Sequence, residues 1–189
     1  MLRIFSKNRH QPDPAATVYA AVVSAARNPV FYSRIGVPDT LDGRFEILSV
    51  LLHAVARRLV HGKNPDIAFS RQVAEHFVVD MDSNLREMGV SDVRVAKKMK
   101  ALYGAYGGRI AAYDIALAAG GDALEEAVVR NVFPDGAPAG AAVALAGYIR
   151  AAETMLDGFS TDEIGAGKVG FPDPSEFLAS ANSAAARAT

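Results

Sequence analysis

The stretch SDVRVAKKMKALYGAYGGRIAAYDIALAAGG, residues 91–121, decides the fold class because it carries the apolar period of one long α-helix. Its larger apolar residues recur at alternating spacings of three and four, which places them on one stripe of a helix. They are Ala96, Met99, Tyr103, Tyr106, Ile110, Tyr113 and Leu117. Ser91 is a suitable N-cap for this helix, and Gly120 is a suitable residue to end it.

The other face of this helix carries small residues over its second half, namely Ala101, Ala105, Gly108, Ala112 and Ala116. Small side chains let another backbone approach closely. We therefore expect this helix to be central and packed on both sides over its second half.

The same period predicts five further helices around it. Their start signals are Asp13-Pro14, Asp39-Thr40, Asn64-Pro65, Asp122 and Pro138. Alternating strand patterns and internal repeats are absent. The sequence thus predicts an all-α fold with about six main helices in a single domain at residues 13–157. A basic N-terminal arm at 1–12 precedes it, and an irregular Gly/Pro/Ala-rich tail at 158–189 follows it.

The composition excludes several kinds of function and binding site for this chain. The 189 residues have a formal net charge of -1 and contain no cysteine. The weak net charge gives no general attraction for nucleic acid such as DNA or for anionic lipid, so any such partner must be bound by a local patch. Disulfides and thiolate metal sites are excluded. No apolar run approaches the roughly 20 residues that span a bilayer.

Residues 1–10 combine Leu2, Ile4 and Phe5 with three cations, so they are either a peripheral membrane contact or a frayed terminus. We expect a cytoplasmic protein, peripheral on the inner face of the cytoplasmic membrane.

The acidic stretch DMDSN at 80–84 has the alternation of a calcium loop. Such a loop needs glycine at its sixth position and glutamate at its twelfth, and here those positions are Leu85 and Ser91. The stretch instead continues a helix, on which Asp82 and Arg86 form an i, i+4 pair. Neither a third ligand for His76 and Asp80 nor a nucleophile motif is present. We therefore expect no metal, no cofactor and no enzymatic activity.

A basic face lies on the first turns of the long helix. It consists of Arg94, Lys97, Lys98 and Lys100. Four cations at this spacing can bind phosphate, which makes a ribosome- or RNA-binding module one hypothesis for the chain. The alternative is a solvated helix face.

Four segments, taken in order, resemble the ubiquinol-cytochrome c chaperone family. They are PDTLDGRFE at 38–46 with Leu52-His53 and Arg58-Leu59; DMD at 80–82 with LREMGV at 85–90; Gly108-Arg109 with AYD at 112–114 and Ala116-Leu117; and Leu124 with Ala127 and Arg130-Asn131. One departure is Gly107, where the family pattern has a second aromatic residue before Gly-Arg.

The resemblance implies a mostly helical assembly factor of respiratory complex III that binds newly made cytochrome b without catalysis. In mitochondria such factors work beside the ribosomal exit and with a small partner protein. It also implies that the motif residues Asp80, Asp82, Arg86, Arg109, Tyr113, Asp114, Arg130 and Asn131 form a structural polar cluster. Buried charges of this kind need partners.

A chaperone for a membrane-helix bundle should expose an apolar groove larger than a monomer normally shows. Met and aromatic side chains suit such a groove because they are large and adaptable. The candidate client-binding residues are Phe31, Tyr32, Met88, Tyr103 and Tyr106. The alternative is that all five belong to the core.

Overall fold

The computed structural model describes residues 13–179, and over this range it contains helices and no strand. The seven α-helices are α1 (Pro14–Ala26), α2 (Leu41–His61), α3 (Ile67–Glu87), α4 (Asp92–Ala119), α5 (Ala123–Val132), α6 (Ala141–Asp157) and α7 (Thr161–Gly165). A π-helical turn at Phe31–Ile35 and a 3-10 turn at Pro174–Phe177 complete them. The all-α prediction is confirmed. The basic N-terminal arm and residues 180–189 lie outside the described range.

The helices α1, α2, α3 and α7 begin where side chains satisfy free backbone N–H groups, whereas α4, α5 and α6 have no side-chain cap among the described residues. Asp13 accepts from the Ala15 amide, Thr40 from that of Gly43, and Asp66 from that of Phe69. Gly89 ends α3 with a φ of 76°, a left-handed conformation that costs glycine little. Local chemistry therefore explains most of the helix boundaries.

The central helix is α2. Fourteen of its 21 residues are buried, and it packs against α1, α3, α4, α5 and α6. In contrast, only Val95, Tyr113 and Ala116 are buried among the 28 residues of α4. The expectation that α4 is central was wrong, because α4 presents Tyr106 and Tyr113 to the bundle and leaves Tyr103 and much of its other side open.

The glycines of α4 show this openness directly. A Cβ added at Gly104, Gly107 or Gly108 would meet no atom within 4 Å. The predicted close approach of another backbone at Gly108 is therefore not made within the part of the chain that the structure describes. Ile115, on the same side of α4, is 70% exposed.

Residues 158–179, which we assigned to an irregular tail, pack on the domain. Ile164 in α7 is fully buried, and the Phe177 ring lies edge-on to Tyr148 of α6, with centroids 5.7 Å apart. Arg58 of α2 donates to the Phe159 carbonyl at 2.5 Å. The domain boundary at Asp157 is thus corrected. Single apolar residues that are far apart in sequence give no helical period, so the pattern did not indicate this packing.

No helix within residues 13–179 combines the length and the apolar character needed to cross a bilayer.

Candidate functional site

An open groove of about 220 Å³ lies between α1, α2, α3 and the middle of α4. Apolar and aromatic side chains form most of its wall. They are Val23, Ala26, Tyr32, Leu41, Phe45, Leu48, Met81, Leu85, Met88 and Leu102. An apolar concavity with a few polar groups is the usual form of a binding site.

The rim of the groove exposes two large apolar side chains. Leu41, at the start of α2, is 50% exposed, and Met88, just after α3, is 60% exposed. These two residues face the same groove from different helices. Apolar surface of this kind gains free energy when a partner covers it.

Tyr32 is fixed in the wall by its hydroxyl and its ring. The hydroxyl donates to the Ala26 carbonyl at 2.7 Å, and the Arg44 guanidinium lies 5.4 Å from the ring centroid. Burial raises the pKa of Tyr32 above its usual value. Arg44 is held in turn by Asp39 at 2.6 Å. The aromatic wall is therefore preorganised.

Asp80 provides an acidic group at the groove. Its carboxylate accepts from the Tyr19 hydroxyl at 2.6 Å and from the Asn84 amide at 3.1 Å. Burial, together with this hydrogen bond to a carboxylate, raises the pKa of Tyr19. The Asp80 carboxylate is thus already hydrogen-bonded within the protein. This suits a role in orienting Tyr19 and Asn84 rather than in proton transfer.

The structure places the five candidate client-binding residues in different environments. Tyr32 and Met88 line the groove. Phe31 is completely buried, with its ring 4.9 Å from that of Tyr148, so its assignment to a client surface is corrected to the core. Tyr106 is half-buried, 5.4 Å from the Phe77 ring, and Tyr103 is exposed on α4; neither lines the groove.

Sequence reasoning missed most of the groove wall. Phe45, Met81 and Leu85 lie on the apolar stripes of their helices and were not selected as binding residues. Periodicity shows which face of a helix points inward, but a groove between four helices depends on how those helices cross. Leu41 at the start of its helix was the one signal, since an apolar residue in a first turn often lies at an edge.

The predicted polar cluster is divided among separate places. One part is an ion pair that joins α4 to α2, in which Arg109 Nε lies 2.6 Å from Glu46 Oε2. The Glu46 side chain is almost fully buried, and burial raises its pKa although Arg109 opposes that effect. Tyr113 is buried nearby, with its hydroxyl facing Asn131.

A second part surrounds Arg57, a residue that sequence reasoning did not select. Its guanidinium lies 2.8 Å from Asp114 Oδ1 and 3.1 Å from Glu153 Oε2. Asp114 Oδ1 is also 3.2 Å from the Nε2 atom of buried His53. Burial lowers the pKa of His53 and raises that of Glu153 to about 7. The network borders a polar cleft of about 320 Å³ beside α6.

The remaining members lie apart at the surface. Arg86 bridges Asp82 and Asp92, which links the end of α3 to the start of α4. Arg130 pairs with Glu126 at 3.8 Å, with both side chains mostly exposed. Surface pairs of this type contribute little stability.

No group of three or more His, Asp or Glu side chains within residues 13–179 is placed to hold a metal ion. His76 lies 2.9 Å from Asp13 Oδ2, a contact that ties α3 to the N-cap of α1.

The predicted basic face lies as expected on the solvent side of α4. Arg94, Lys97, Lys98 and Lys100 are all exposed. Within the described residues none of the four makes an ion pair, so all four charges face solvent. Val93, beside them, is 85% exposed.

Comparison with known proteins gives two matches. Residues 33–171 match the sequence profile described as ubiquinol-cytochrome C chaperone. The crystal structure of the Cbp3 homolog from Brucella abortus is 36% identical, with a TM-score of 0.75 over 86% of this chain and 91% of that chain. No curated protein matches the sequence. The profile match extends beyond Asp157, in accord with the packing of the following segment.

Proposed function

The chain belongs to the ubiquinol-cytochrome C chaperone family, and we propose that it binds newly synthesised cytochrome b through the groove between α1, α2, α3 and α4. This would make it an assembly chaperone for respiratory complex III, acting at the cytoplasmic face of the inner membrane. The observation that carries the proposal is the apolar groove with Leu41 and Met88 exposed at its rim.

The chemistry of the groove suits a membrane-protein client. Before insertion, a transmembrane helix exposes apolar side chains to water, and covering them is favourable by about 1.5–3 kcal/mol for each large side chain. A volume of about 220 Å³ accommodates a few such side chains and not a whole helix. We infer that the groove captures an anchor on one face of a client helix, as helix-in-groove complexes do.

The groove wall also suits a client that changes shape as it matures. Met81 and Met88 are unbranched and adjust to different apolar shapes. Two of the charged groups at the groove are paired within the protein, Asp80 with Tyr19 and Arg44 with Asp39. The charged lining residues Arg27 and Asp42 are available to a client's polar groups.

The test is a double substitution at the rim, Leu41→Gln with Met88→Gln. Both side chains are about half exposed, so the fold should be retained while the apolar rim is lost. We expect affinity for a fluorescent cytochrome b helix peptide to fall on the order of tenfold or more, as measured by anisotropy.

The matched control is Val79→Gln with Ile115→Gln, which removes two exposed apolar side chains away from the groove. We expect this control to bind the peptide like the unchanged protein. Equal losses in both variants, or none in either, would show that the groove is not the client site.

A further inference from the structure

We propose that the first turns of α4 form a docking surface for an anionic lipid bilayer. The surface, here called the basic turn, consists of Arg94, Lys97, Lys98 and Lys100 around Val93. It is separate from the client groove. The inference does not depend on the proposed function.

The basic turn points directly away from the bundle. At about 100° per residue, Lys97 lies nearly opposite Tyr106, which packs on the core, and Val93 and Lys100 flank it on the outer side. The only buried residue of these turns is Val95, on the inner side. A flat partner can therefore touch the valine and the flanking lysines together.

The charge of the basic turn is not neutralised within the described residues. Among the nearby acids, Asp92 and Asp82 both contact Arg86, and Glu87 belongs to the preceding helix. Asp92 also projects to the side of α4 that faces α3, away from the lysines. Four unpaired cations on about two turns are complementary to a surface of closely spaced phosphate groups.

Val93 favours a bilayer over a nucleic acid. It is 85% exposed and lies among the cations. An interfacial segment places apolar side chains below the headgroups while neighbouring Lys and Arg contact phosphate. RNA offers phosphate to the lysines but no apolar layer to an exposed valine.

The groove lies behind the basic turn, on the inner side of α4. Leu102, in the groove wall, is about 140° around the helix from Lys97 and about 160° from Lys100. A bilayer held by these lysines would thus lie on the outer side of α4 and leave the groove free to bind a client.

The experiment measures partition of the full chain onto vesicles of phosphatidylglycerol and phosphatidylethanolamine at physiological ionic strength, with pure phosphatidylcholine vesicles for comparison. We expect binding to the anionic vesicles only. The triple variant Lys97→Gln, Lys98→Gln, Lys100→Gln should lower the partition coefficient on the order of 100-fold. Val93→Ser should lower it roughly fivefold through lost apolar contact.

Two matched variants remove three cations elsewhere. Lys63→Gln, Arg71→Gln, Lys168→Gln neutralises exposed cations outside α4, and Arg3→Gln, Lys7→Gln, Arg9→Gln neutralises the N-terminal arm. We expect the first variant to keep vesicle binding within about threefold, because screening confines these attractions to charges close to the surface. The second variant tests the alternative that residues 1–10 make the membrane contact, and we expect it to bind as well as the first.

Three outcomes would overturn the proposal. They are the absence of binding to anionic vesicles, loss of binding in the arm variant with retention in the α4 variant, and binding of the basic turn to RNA but not to vesicles. Binding of the client peptide, measured without vesicles, tests the proposed function independently of this proposal. The α4 variant should capture the peptide normally, whereas the rim variant should bind vesicles normally.

Discussion

The Arg109 guanidinium and the Glu46 carboxylate form an ion pair that fastens α4 to α2, with Nε 2.6 Å from Oε2 and the Glu46 side chain only 3% exposed. It is one of two arginine ion pairs that join these helices within the described residues, the other being Arg57 with Asp114 at 2.8 Å. Arg109 also lies 5.5 Å from the centroid of the Phe45 ring, which lines the groove. The pair therefore affects both stability and the groove wall.

Arg109→Ala should lower the free energy of unfolding by about 3 kcal/mol, because it leaves a buried carboxylate without its cation. Urea unfolding followed by circular dichroism measures the change. In the double variant Arg109→Leu, Glu46→Leu no buried charge remains, so its loss should be smaller than that of Arg109→Ala. An unchanged melting temperature in Arg109→Ala would contradict the role of the pair.

Glu153 should make stability depend on pH. Its folded pKa of about 7 is above the ordinary value of 4.5, so the folded state binds the proton more tightly than the unfolded state. Its contribution is therefore fully present below about pH 4.5 and is lost as the pH rises to about 7, on the order of 2 kcal/mol. Glu153→Gln should remove this dependence in urea titrations from pH 5 to 8.

His53 acts in the opposite direction, since burial lowers its pKa and its contribution is lost as the pH falls. The difference between the unchanged chain and Glu153→Gln isolates the carboxyl group. If the two chains lose stability in parallel between pH 5 and 7, Glu153 does not titrate in this window.

Gly107→Ala should stabilise the protein. Gly107 lies inside α4, and an added Cβ meets no atom within 4 Å. Alanine in an exposed helix interior is favoured over glycine by about 0.5–1 kcal/mol, so the melting temperature should rise by about 2–4 °C. Gly43→Ala serves as the contrast, since its Cβ would lie 2.0 Å from the Pro38 carbonyl oxygen, and it should destabilise. A fall in melting temperature for Gly107→Ala would indicate an undetected contact on this face.

The sequence allowed the helices and their ends to be predicted because the signals are local. Asp13 with Pro14, Thr40 and Gly89 each satisfy or terminate a backbone hydrogen-bond pattern within a few residues. The family was also predictable, since the motif segments keep their order along the chain.

The position of α4 could not be predicted from its own pattern. Its tyrosine stripe and its small residues are compatible both with a central helix and with a helix packed on one side. The difference depends on α2, which buries Glu46, His53 and Arg58 as well as its apolar residues. Because its sequence contains these polar residues, α2 was expected to be more amphipathic than it is.

The candidate site was predictable only in part for a related reason. Tyr32 and Met88 were selected because of their residue types, and they line the groove. Phe31 was selected on the same grounds, but its ring enters the core and packs against that of Tyr148. The cross-helix partners Glu46, Arg57 and Glu153 are 57 to 96 residues from the groups they bind, and single-sequence spacing does not indicate such distant contacts.

The segment that follows α6 seals the chaperone's own apolar interior. Ile164 is buried, Phe177 covers Tyr148, and Gly167 lies against Thr17 of α1, with its added Cβ only 3.1 Å from Thr17 Cγ2. Proteolytic cleavage near Asp157 would uncover that interior. The shortened protein would then expose apolar surface of its own. It would compete with immature subunits for the cell's quality-control machinery.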